Sequence, residues 1–111
     1  MNLDLNYEGF EDYLLNRILT PPMIDIFRQK LIDGVQYLFK FENGYGASVV
    51  KHWCSYGYRE DLWELGVLYF ESENPVKYHL SYNTPITDDV IGYLTDEEVR
   101  ELLGRIKALP G

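Results

Sequence analysis

The chain has 111 residues, enough for one domain, and 46% of them are apolar. That share builds a core without disulfides or metal, and with 25% charged residues it excludes a wholly disordered chain. The net charge of −8 and the pI near 4.6 exclude general nucleic-acid binding, because an acidic surface repels phosphate backbones.

At the N-terminus, residues 8–19 place Phe10, Tyr13, Leu14 and Ile18 on one helical face. Glu8, Glu11 and Asp12 sit in the first turns, where the helix dipole favours anions, and Thr20-Pro21-Pro22 ends the segment. A second helix is predicted from Pro22, with Ile24, Phe27 and Leu31 as its stripe and Gly34 as its stop. Residues 1–33 therefore read as a helical N-terminal segment.

Residues 34–94 read as sheet and loop. Val35, Tyr37 and Phe39 alternate with Gln36, Leu38 and Lys40, so 35–41 is a strand. Glu42-Asn43-Gly44-Tyr45-Gly46 is a hairpin turn by its Asn-Gly pair. The return strand spans 46–53, with Ala47, Val49 and Lys51 on one face. Residues 62–71 form the most apolar strand, placed centrally, and 76–82 complete a four-stranded antiparallel meander. Residues 86–94 fit either a loop or a short helical turn. Thr95-Asp96-Glu97-Glu98 is a capping box, Leu94 and Val99 a hydrophobic staple, and Val99, Leu102, Leu103 and Ile106 the buried stripe of a helix over 95–109. The whole is a single α+β domain, a meander packed on a C-terminal helix with one or two N-terminal helices.

The charge is unevenly spread. Residues 1–27 carry five acids and one base, 28–59 five bases and two acids, and 60–111 eleven acids and four bases. Cys54 is the single cysteine, so no internal disulfide forms, which fits a reducing compartment. No signal-peptide pattern and no membrane-length apolar run is visible. A cytoplasmic protein is the expectation.

Chemistry-bearing patterns are sparse. His52 and Cys54 are two apart on a strand, but a Cys–His nucleophile needs a third, orienting group, which no pattern supplies. A metal site from His52, His79 and an acid matches no ligand spacing. The adjacent Asp88 and Asp89 lack the alternating ligands of a calcium loop and read as helix-start acids. Gly44-Tyr45-Gly46 lacks the Lys-Ser/Thr of a phosphate loop. No catalytic residue, metal or cofactor is therefore assigned, and binding is expected rather than catalysis.

Two surfaces are candidates for a partner. Trp53, Tyr56, Tyr58 and Arg59 crowd one connection around Gly57, read as flexible, and Trp, Tyr and Arg are the residues that anchor interfaces. Alternatively, two of them fold back over the open sheet face and finish the core. The second surface is the acid run Asp88, Asp89, Asp96, Glu97, Glu98 and Glu101, which could imitate a phosphate track or simply solvate a helix start.

The segments Phe41 to Val50, Leu62 to Leu68 and Thr84 to Val99 together resemble small bacteriophage and mobile-element proteins of Gram-positive bacteria, over about residues 34–109. The resemblance implies a phage origin and action in the host cytoplasm, and it supplies no site residues. In that setting the expected function is a small acidic protein, monomer or small homo-oligomer, that modulates or inhibits a host protein, for instance in counter-defence against a CRISPR system. Alternatives are a self-associating accessory protein and a binder that sequesters a nucleotide signal.

Overall fold

A computed structural model describes residues 23–73, 76–86 and 89–110, with backbone alone at 23–27, 73 and 76. Six antiparallel strands and one C-terminal helix follow in the order β1 (Met23–Leu31), β2 (Gly34–Phe41), β3 (Tyr45–Lys51), β4 (Trp63–Glu73), β5 (Val76–Leu80), β6 (Ile91–Leu94) and α1 (Asp96–Lys107). The sheet order is β1-β2-β3-β4-β5, and β6 pairs with β4. β4 divides its outer edge between two partners: Leu68–Glu73 take β5, while Trp63 and Leu65 take Leu94 and Ile91 of β6.

The four meander strands are present as β2 to β5, and the sheet holds two more. The predicted second helix is replaced by β1, which pairs with β2 from Met23↔Phe41 to Leu31↔Gly34. Ile24, Phe27 and Leu31 do fit helical offsets, but Ile24-Asp25-Ile26 is also β-branched and alternating, and the ladder to β2 decides between the two. Ile32-Asp33 is then a two-residue hairpin, with Ile32 at a φ of 60°, the sense of twist such hairpins favour. The segment 86–94 contains β6 rather than a helical turn, and β3 ends at Lys51, two residues short of the predicted strand end. The predicted helix over 8–19 lies outside the described residues.

One sheet face makes the core. Val35, Tyr37, Phe39 and Phe41 of β2, Ala47 and Val49 of β3, and Trp63, Leu65 and Val67 of β4 pack with Val99, Leu102, Leu103 and Ile106 of α1. The helix stripe is thus the predicted one, and its start is the predicted capping box. Glu98 N donates to Thr95 Oγ1, and Thr95 N donates to Glu98 Oε1. The other face is partly polar, with Gln29 Nε2 donating to Gln36 Oε1 and Gln36 Nε2 to Ser48 Oγ.

The β2–β3 hairpin also fastens the far end of α1. Asn43 Nδ2 points at the carbonyls of Ile106, Lys107 and Leu109 at 2.9, 3.2 and 2.9 Å, while its Oδ1 accepts the Tyr45 amide. Ile106 and Lys107 close the last turn of α1, whose carbonyls find no amide four residues on inside the helix, and Leu109 follows the C-cap. Asn43→Ala is expected to lower stability by about 1–2 kcal/mol. Asn43→Asp is expected to lower it more, because a carboxylate there faces the negative end of the helix dipole. Denaturant melts of the two variants check this order; an Asp variant as stable as the wild type would refute it.

Candidate functional site

Three elements meet at the end of the sheet where β3 stops: the Ile32-Asp33 turn, the connection from His52 to Leu62, and Tyr93 of β6. The connection is held by a dense set of local bonds. His52 N donates to Ser55 Oγ, Ser55 N to the His52 carbonyl, and Cys54 N to His52 Nδ1. Tyr56 N donates to Glu64 Oε1. A 3-10 turn over Tyr58–Glu60 follows, and the Gly57 carbonyl accepts from both Glu60 N and Leu62 N.

Asp33 ties the turn to this connection at two points. Its carboxylate accepts the Trp53 amide at 3.0 Å and the Tyr58 hydroxyl at 3.1 Å. The Trp53 amide, and then the Tyr58 hydroxyl, hold the Asp33 carboxyl below its ordinary range, while the same bond to Asp33 raises the Tyr58 phenol above its own.

The result is a set of aromatics turned outward from a fixed frame. Trp53 is 63% exposed, Tyr56 61% and Tyr93 58%, and Tyr58 sits at 36%. Trp53, Tyr56, Tyr58, Arg59, Glu60 and Tyr93 together line a cleft of about 360 Å³. The alternative in which two aromatics finish the core is therefore not what the side chains do. Gly57 also differs from its expected role as a flexible point. It is buried at a φ of 97°, and a Cβ there would stand 2.9 Å from the Tyr93 backbone. Gly92 answers it from β6, where a Cβ would meet that of Tyr56 at 2.4 Å. The two glycines let β6 lie directly on the connection, and Tyr93 N donates to the Tyr56 carbonyl.

Backbone strain gathers at the same end. Ile32, Asp61 and Tyr93 have φ of 60°, 59° and 58°, the left-handed region that non-glycine residues seldom enter. Such strain persists where the surroundings over-determine it, and it concentrates at functional sites.

The second candidate surface divides. Asp96 Oδ1 accepts the indole N–H of buried Trp63 at 2.7 Å, and Glu98 is spent on the capping box. Glu97 and Glu101 are exposed, as is Asp89, while Asp88 lies outside the described residues. The acids at the start of α1 thus serve the fold first. His52 turns Nδ1 to a backbone amide, and Cys54 is exposed. His79 lies on β5, level with the other end of β3 across β4, with Nε2 3.1 Å from Glu71 Oε1. Among the described residues no three His, Cys, Asp or Glu side chains converge as metal ligands, and no helix is long and apolar enough to cross a membrane.

Asp33, Tyr93 and Ile32 are the site residues that sequence reasoning missed. The helix expected from Pro22 to Gly34 covers Ile32 and Asp33, and Tyr93 falls in the segment that fits either a loop or a helical turn. The Asp-Gly pair at 33–34 was the available hairpin signal. Comparison with known proteins finds no matching family model, no matching curated protein and no matching solved structure.

The Asp33 links give the site a pH window. A depressed carboxyl contributes above its ordinary pKa of 3.8 and loses that contribution as pH falls through its lower, folded value. A raised phenol contributes below its ordinary 10.0 and loses it as pH rises through the higher, folded value. Trp53 fluorescence is therefore expected to stay level across neutral pH and to change below 3.8 and above 10.0. In Asp33→Asn the acid step should vanish; an unchanged acid step in that variant would remove Asp33 from the account.

Proposed function

We propose that this protein is a small acidic binding protein that acts by contact with another protein, and that the cleft built by Trp53, Tyr56, Tyr58 and Tyr93 is the contact surface. The supporting observation is the exposure of three large aromatics on a connection whose backbone is held almost throughout by hydrogen bonds. Holding side chains in place before binding lowers the entropy cost of association. Trp and Tyr are also the residues whose truncation most often weakens interfaces. In the phage setting that the resembling segments imply, the partner is a host protein and the effect is modulation or inhibition.

The nucleotide-sequestering alternative gains little from this site. An anion nest needs free backbone N–H groups, and eight of the ten amides from Trp53 to Leu62 donate to an acceptor within the protein. The acidic-track alternative loses Asp96 and Glu98 to structural tasks.

The test is affinity capture from host lysate with quantitative mass spectrometry. A host protein enriched by the wild type should be lost with Trp53→Ala and Tyr56→Ala and kept with Glu97→Gln and Glu101→Gln. A partner that survives both aromatic changes, in variants that remain folded, would place the contact elsewhere.

A further inference from the structure

We infer that the cleft takes a basic side chain, lysine or arginine, presented by the partner protein; this rests on the partner-binding reading above and adds the chemistry of what enters the cleft. Three observations carry it. Trp53, Tyr56, Tyr58 and Tyr93 line the cleft beside polar groups, and the face of an indole or phenol ring attracts a cation through its quadrupole. The Tyr58 hydroxyl donates to a carboxylate, which pushes electron density into the ring and strengthens that attraction. The surroundings are also acidic. Glu60 lines the cleft, and Asp33 and Glu64 accept bonds from its walls. Arg59 is the base on the lining, and these carboxylates outweigh it.

A cation, a ring and a carboxylate already meet within the fold. Lys51 Nζ sits 4.2 Å above the Trp63 ring with Asp61 Oδ1 at 3.1 Å. That ring, cation and carboxylate are satisfied within the fold. The cleft offers rings and carboxylates facing outward.

An apolar occupant is the main competitor, since aromatic clefts also take aliphatic side chains. The charge of the occupant separates the two. The probes are three blocked tripeptides, acetyl-Gly-X-Gly-amide with X as lysine, norleucine or glutamate, titrated into 15N-labelled protein. The lysine peptide is expected to shift the Trp53 indole resonance saturably and to bind about threefold or more tighter than the norleucine peptide, the scale of an exposed cation–π contact. The glutamate peptide is expected to leave that resonance in place. Tyr56→Leu, which keeps the Cβ against Gly92 and removes the ring, should weaken lysine-peptide binding while the buried Trp63 indole resonance stays unmoved. Equal binding of the norleucine peptide, or no saturable shift with lysine, overturns the inference. If the lysine peptide fails while Trp53→Ala still strips a captured partner, the basic ligand is wrong and the contact surface stands. If the aromatic variants keep the partner as well, both readings fall.

Discussion

Trp63→Ala is expected to cost about 3–5 kcal/mol, the usual loss on emptying a large buried aromatic site. Trp63 is 1% exposed at the start of β4, where the strand begins its pairing with β6. It packs edge-on to Tyr37 with ring centroids 5.9 Å apart, and its indole N–H joins the sheet to the first residue of α1 through Asp96. Its ring also lies beneath the Lys51 ammonium, so truncation leaves a nearly buried charge with its carboxylate partner and no ring. Against a typical total of about 5–15 kcal/mol, this change alone brings the domain near its unfolding threshold. Trp63→Phe keeps most of the ring and loses the Asp96 bond, so it should fall between, near 1–2 kcal/mol. Denaturant melts of the pair measure both. A loss under about 1 kcal/mol for the alanine variant would show that the sheet and helix are not joined through this residue.

The second large effect is expected in α1. Leu102→Ala and Ile106→Ala should each cost about 2–5 kcal/mol. Ile106 is fully buried, whereas Leu102 retains 9% exposure and borders a cleft of about 220 Å³ with Ile91, Leu94, Glu98 and Glu101. The surroundings of Leu102 can relax toward solvent, so it should fall at the lower end and Ile106 at the upper. Glu97→Ala, on the exposed side of the same helix, should stay within about 0.5 kcal/mol. The reverse order would mean that the helix presents another face to the sheet.

The elements written most plainly in the sequence are those whose local signals agree with their tertiary role. The α1 stripe and its capping box were legible because propensity, capping and periodicity all point the same way over Thr95 to Ile106. The β2–β3 hairpin was legible from Asn43-Gly44, though the reach of Asn43 to the helix end was not, since sixty or so residues separate the partners. β1 was not legible as a strand, because three apolar residues at helical offsets outweighed a short alternation whose value depends on the β2 ladder. β6 was hidden for a related reason. Four residues carry little pattern, and Tyr93 enters the left-handed region at the end of the strand.

Of the site, the aromatic composition of the connection was readable and its mechanics were not. Gly57 suggests freedom in a sequence, but here it is the close contact that lets β6 rest on the loop. Asp33 contacts Trp53 and Tyr58 from a turn twenty and twenty-five residues away, a juxtaposition that no local pattern encodes.

We propose that outward aromatics on a fixed frame, and not the acids of α1, carry the partner contact. The most direct test is titration of the captured partner against two variant sets at low and high salt. Tyr56→Ala and Trp53→Ala should each weaken binding by about 2 kcal/mol or more at both salt concentrations, as the loss of central contacts does. Glu97→Gln and Glu101→Gln should leave affinity nearly unchanged. Loss of binding in the glutamate variants, with the aromatic variants binding as the wild type does, would place the contact on the acids of α1 and contradict this reading.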